Sequence, residues 1–164
     1  MSAQTTGTTG TTGTRGTRGT AAAPGGAGED AQAARVWQPV CGVADLAVER
    51  GAAALVGGNQ VALFRLTDDR VLAVQQLDPF SGANVMSRGI VGTRRGVPTV
   101  ASPMYKQVFA LETGECLDHV GFLPVLAAGA DLATWPVEVR DGVVHVAARP
   151  GPTPTGSTPT GPTP

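Results

Sequence analysis

Residues 137–147, VEVRDGVVHVA, set an Asp-Gly pair between two runs that alternate apolar and polar side chains. Two residues reverse a chain only as a tight hairpin turn, with positive φ at both central positions, and Asp-Gly tolerates that backbone better than almost any other pair. The segment must therefore be β, and the same punctuation recurs upstream. Strands are expected at 52–56 and 60–66 around Gly57-Gly58-Asn59, and at 71–74 after Thr67-Asp68-Asp69. Residues 36–41 alternate like a half-buried strand, with Pro39 pointing to a sheet edge. Further runs fall at 85–91, interrupted by Ser87-Arg88-Gly89, and at 98–101, 107–111 and 116–117, with 92–96 as a polar connector. Residues 118–134 are the least readable; 124–132 has room for a helical turn, while Gly129 argues against a long helix. Six to nine short strands and no amphipathic helix predict an all-β domain, an antiparallel sandwich or partly open barrel.

The ends cannot share that core. Residues 1–35 are dominated by Thr, Gly and Ala, and 149–164 by Pro, Thr and Gly, so neither buries enough apolar surface to offset roughly 1–2 kcal/mol of backbone entropy per ordered residue. Gly7, Gly10, Gly13, Gly16 and Gly19 keep the three-residue spacing of collagen, but the tract has no proline and is short, so a solvated tail is expected. The expected organisation is one domain over 36–148 between two low-complexity tails. Neither an apolar signal core nor a membrane-length apolar run occurs, so the expected compartment is the cytoplasm, without membrane attachment. Within 36–148, eight Lys and Arg stand against eleven Asp and Glu, which gives no basis for nucleic-acid binding. Cys41 and Cys116 are expected as free, apolar-packed thiols.

Chemically active side chains are few. His145, inside VVHVAA, falls opposite the apolar face of its strand. His119 follows Cys116 by three positions, and a Cys/His pair has to meet in space to act. Neither a phosphate-cradling loop nor a Cys-x-x-Cys pair is present. What stands out is 77–114, where two loop segments, Asp78-Pro79-Phe80-Ser81-Gly82 and Ser102-Pro103-Met104-Tyr105-Lys106, interrupt the strand pattern. Arg88, Arg94, Arg95 and Lys106, half of the domain's basic residues, lie in the same stretch and form a candidate rim for an acidic partner surface.

Residues 102–114, SPMYKQVFALETG, resemble the second cluster-binding loop of Rieske [2Fe–2S] proteins, whose pattern is Cys-Pro-x-His-Gly, an aromatic, then Phe-Asp-Leu-x-Thr-Gly. Asp78 to Gly82 falls where the first loop, Cys-x-His-x-Gly, would lie. The frame agrees at Gly82, Pro103, Phe109, Leu111, Thr113 and Gly114, but the four ligand positions read Asp78, Phe80, Ser102 and Tyr105. A Rieske centre takes two thiolates and two imidazoles. Phenylalanine has no lone pair to offer, and the other three are hard oxygen donors ill suited to sulfide-bridged iron. A Rieske-like fold without cluster ligands is therefore expected.

Over 37–146 the chain resembles one group within that superfamily, the small subunit of assimilatory NAD(P)H-dependent nitrite reductase. SRGIVG at 87–92, SPMYK at 102–106 and TGECL at 113–117 carry the likeness most specifically. The resemblance implies a non-catalytic accessory chain of an enzyme that reduces nitrite to ammonium, with FAD, a [4Fe–4S] cluster and sirohaem all in a large-subunit partner. The alternatives are a Rieske-type electron carrier, which would need the four missing ligands, and a cluster-free binding module that keeps only the scaffold.

Overall fold

The computed structural model describes residues 35–151. Eleven strands occur in this span: β1 (Trp37–Gly42), β2 (Gly51–Val56), β3 (Asn59–Arg65), β4 (Val71–Gln75), β5 (Ile90–Arg94), β6 (Val97–Ala101), β7 (Val108–Ala110), β8 (Cys116–Asp118), β9 (Thr134–Trp135), β10 (Val137–Arg140) and β11 (Val143–Ala147). They form three antiparallel sheets, ordered β1-β11-β10, β2-β3-β4-β9 and β5-β6-β7-β8, none closed into a barrel. The all-β, antiparallel expectation holds, with more and shorter strands than the sequence pattern suggested.

The middle sheet is covered on both faces. Val61 and Leu63 of β3 point to one apolar cluster, which they share with Leu46, Val56, Trp135, Val144 and Val146. Ala62 and Phe64 point to the other, shared with Val74, Phe80, Met86, Phe109, Leu111 and Leu132. A strand covered on both sides has no polar face to show, which is why VALF reads as a continuous apolar run. Each fully buried residue such as Phe64 contributes roughly 1.5–3 kcal/mol of transfer free energy.

The Asp141-Gly142 turn has φ of 50° and 76°, as the hairpin signal requires. Pro39 lies on β1, an edge strand with a bulge between Pro39 and Cys41. Two expectations need correcting. Gly92 to Arg94 continue β5 rather than forming a connector, and the reversal is Arg95-Gly96, with φ of 52° and 82°. Arginine is uncommon in the left-handed region, so the sequence hid this two-residue hairpin, which stands beside those at Gly57-Gly58 and Asp141-Gly142. No helical turn occupies 124–132; after β8 the chain makes short turns and folds back over the other two loops. That return is anchored at Gly114, where a Cβ would stand 1.9 Å from the Leu132 carbonyl oxygen, while Leu132 N–H donates to the Gly114 carbonyl at 2.8 Å.

The two terminal tails lie almost wholly outside the described residues. Ala148 N–H donates to Val36 and Gly151 N–H to Thr134, so regular hydrogen bonding reaches Gly151.

Candidate functional site

β4 delivers the chain into the first loop, and adjacent glutamines at its end brace that loop. Gln75 Nε2 donates to the Leu77 carbonyl at 2.7 Å while its Oε1 accepts from Ala133 N–H. Gln76 Nε2 donates to Ser87 Oγ and its Oε1 accepts from Ser87 N–H, both at 2.8 Å. The sequence reading passed over both residues; their only signal was two amides where an apolar strand ends. The loop closes by its own backbone, with Asp78 N–H to the Ala83 carbonyl and Gly82 N–H to the Asp78 carbonyl.

The second loop joins β6 to β7 and closes in the same way, with Ser102 N–H to the Gln107 carbonyl and Lys106 N–H to the Ser102 carbonyl. The two loops meet through their first ligand-position residues. Ser102 Oγ donates to Asp78 Oδ2 at 2.6 Å, and both residues are fully buried. Asp78 Oδ1 accepts from Phe80 N–H at 2.9 Å, and Ser102 Oγ accepts from Met104 N–H at 3.2 Å. A buried carboxyl group with neither oxygen paired would cost several kcal/mol, so these partners are what allow Asp78 to sit here.

The other two ligand positions diverge. Phe80 is buried, with its ring 6.2 Å from that of Phe109 and edge-on to His119 at 5.5 Å. Tyr105 turns outward and stacks on Phe122, 4.7 Å between centroids and 15° between planes. These residues do not fit a [2Fe–2S] cluster. Phe80 has no donor atom, the Tyr105 ring is committed to Phe122 outside the loops, and the Asp78 and Ser102 side chains bind each other. Among the described residues, no group of three His, Cys, Asp or Glu could hold a metal ion.

A third segment, 119–126, covers both loops. Val125 and Leu126 N–H groups donate to the Pro79 carbonyl of the first loop, and Phe122 stacks on Tyr105 of the second. Together they present an apolar tip. Met104, Tyr105, Val120, Phe122, Leu123 and Val125 are 48, 40, 46, 45, 83 and 65% exposed. Sequence reading missed this surface, because its residues come from two separate loops without period 2 or 3.6.

The four basic residues are not gathered around that tip. Lys106 belongs to the second loop, with φ of 69° and its Nζ donating to the Pro103 carbonyl at 3.1 Å. Arg94 pairs with Asp118 at 3.2 Å, although β6 and β7 separate their strands in the sheet. Arg94 and Arg95 stand at the hairpin end of β5 and β6, where Arg94 faces Val97, whereas Ile90 and Ala101 mark the end next to Ser102. Four residues of strand separate the backbones of those ends, roughly 13 Å, although the Arg94 guanidinium reaches Asp118, whose Oδ1 accepts from Val120 N–H at the edge of the tip. Arg88 lines a cleft with Glu49, Arg50 and Gly51 on the flank.

The Cys116 thiol is held in its neutral form. Burial, followed by nearby Asp carboxylates, pushes it up to about 11, and Sγ lies 3.7 Å from the Asp118 carbonyl oxygen. It packs against the cluster under the loops, whereas Cys41 packs against the other one, and both are free. His145 is half-buried between the fully buried Val144 and Val146, with Nδ1 3.2 Å from the Val143 carbonyl oxygen.

The Rieske-like [2Fe-2S] domain family matches residues 36–147. The nitrite reductase (NADH) small subunit of Salmonella typhimurium is 38% identical over 111 residues, covering 67% of this chain and 95% of its own. The chain belongs to the nitrite reductase small-subunit family. A crystal structure described as an NADH-dependent nitrite reductase small subunit from Mycobacterium tuberculosis agrees with this member at a TM-score of 0.61 and 46% identity, over 69% of this chain and 95% of that one. A third relative has a different architecture. The nitrite reductase [NAD(P)H] large subunit of Klebsiella oxytoca is 40% identical over 121 residues, which is 73% of this chain but only 12% of that protein.

Proposed function

We propose that this chain is the accessory small subunit of a cytoplasmic NAD(P)H-dependent nitrite reductase, and that it acts by docking on a large subunit that holds FAD, a [4Fe–4S] cluster and sirohaem. The observation that carries this reading is the dual occurrence of the domain. It makes up nearly all of a small subunit in Salmonella typhimurium and forms 12% of a large subunit in Klebsiella oxytoca. A domain found both separate from and joined to such a chain is expected to work in contact with it.

The chain supplies no catalytic group in this reading. Its loops are tied to each other by Ser102 and Asp78, Phe80 is buried in the core cluster beneath them, and the Cys116 thiol stays protonated at neutral pH. Reduction of nitrite then falls to the partner, and the small subunit contributes by the fit of its surface. Arg88, Arg94, Arg95 and Lys106 are the proposed polar contacts, and the terminal tails remain outside the docking domain.

Co-expression of the full chain with its cognate large subunit is expected to yield a stable complex whose NAD(P)H-dependent nitrite reduction exceeds that of the large subunit alone. Equal activity without the small subunit, or no complex at all, would remove the accessory reading. A stoichiometric iron–sulfur cluster with a rhombic EPR signal in the isolated chain would favour the electron-carrier alternative instead.

A further inference from the structure

We propose that the seat of the small subunit on its large subunit is the apolar tip made by Met104, Tyr105, Val120, Phe122, Leu123 and Val125, with Lys106 as its one orienting charge. This rests on the accessory reading above and names the surface that performs it.

Thirteen large apolar side chains are exposed among the described residues, and six of them are these. The other seven are scattered over strands and turns, as single exposed apolar residues are in any protein. The six are continuous, because the Tyr105–Phe122 stack and the hydrogen bonds from Val125 and Leu126 to Pro79 fasten 119–126 onto both loops. From their exposures the patch measures on the order of 500 Å². That is most of the roughly 800 Å² per partner in a standard protein interface, so the tip can form the centre of a stable contact once polar residues around it are included.

Charge narrows the partner. Residues 102–107 carry Lys106 alone, 119–127 carry no carboxylate, and the adjoining Asp118 is paired with Arg94, which leaves Lys106 as the tip's one charge without a carboxylate partner there. Lys106 holds a left-handed backbone, with its ammonium anchored on the Pro103 carbonyl beside Met104 and Tyr105. An apolar surface with a single fixed cation fits an apolar surface bearing a carboxylate. It does not fit a nucleic acid, for which the tip has too few cations, or a second copy, whose own tip segments 102–107 and 119–127 offer no carboxylate to Lys106. The occupant is therefore the large subunit, since a domain similar to this one is part of the same polypeptide in the Klebsiella oxytoca protein.

The test uses the full chain and its cognate large subunit, with affinity measured by calorimetry at 0.1 M and 0.5 M salt. Leu123→Asp should weaken binding at least 30-fold with an unchanged thermal midpoint, since Leu123 is 83% exposed and supports no core. Lys106→Glu should weaken it about 3- to 10-fold at low salt and less at high salt. Leu55→Asp, at an equally apolar, 64% exposed position on β2, should change nothing. Wild-type binding that ignores Leu123→Asp, or that Leu55→Asp weakens equally, overturns the tip as the seat. Wild-type affinity abolished at 0.5 M salt overturns it in favour of the basic residues, and a dimer dispersed by Leu123→Asp overturns the choice of occupant. Failure of the wild type to bind at either salt is a different result, and it removes the accessory reading itself.

Discussion

The two ends of this domain treat apolar side chains in opposite ways. At the base, Val56, Val61, Val144 and Val146 are fully buried between two sheets. At the tip, Leu123 and Val125 stand 83 and 65% exposed on a segment that no other described residue covers. The base uses hydrophobic burial to fold and the tip leaves it available for association. The comparison breaks if truncation has the same effect at both ends. Phe64→Ala, inside the core, is expected to lower unfolding free energy by about 3–5 kcal/mol. Leu123→Ala is expected to stay within about 0.5 kcal/mol, as read from urea midpoints.

Between these extremes lies the Asp78–Ser102 contact, polar yet as buried as the core. In the Rieske pattern these are the two cysteine positions, and in this chain a hydrogen bond joins the loops there. Asp78→Ala should destabilise by about 2–3 kcal/mol, because it strands both the Ser102 hydroxyl and Phe80 N–H. Ser102→Ala should do so by about 1–2 kcal/mol. A double-mutant cycle should show coupling of about 1 kcal/mol or more, and strict additivity would mean that the pair does not join the loops.

Legibility follows the same division. The base could be read because period-2 alternation and the Asp141-Gly142 turn are local signals, and burial then fixes register. The loop frame was legible through Pro103 and Gly114, and the chemistry of Asp78, Phe80, Ser102 and Tyr105 followed from residue type alone. Sequence did not show that Ser102 would bind Asp78, that Arg94 would leave the loops for Asp118, or that 119–126 would fold over both loops. Each depends on residues more than fifteen positions apart meeting through sheet topology. The Gly position of the Rieske pattern reads Lys106 here, and the structure retains the glycine-like φ of 69° beneath a long cationic side chain. That substitution disguised both the turn and the charge placed on the tip.

The smallest expected effect tests whether the tip is chemically inert as well as apolar. Cys116 lies beneath it on β8, its thiol raised from the ordinary 9.0 to about 11, first by burial and then by neighbouring aspartates. A raised thiol pKa favours the neutral form in the folded state. Below pH 9 both states keep the proton and stability is unaffected. Between pH 9 and 11 the unfolded chain releases it and the folded chain does not, so stability falls as pH rises, and the loss levels off above 11. The upper limit is about 1.4 kcal/mol per pH unit, and a half-buried thiol should give well under half of that. Cys116→Ala should flatten the slope of stability against pH over this window while barely changing it at pH 7. Native protein should also react slowly with a thiol reagent at pH 8 at this position. Rapid single-site alkylation of Cys116 at pH 7 would show a thiolate under the tip and restore the case for covalent chemistry there.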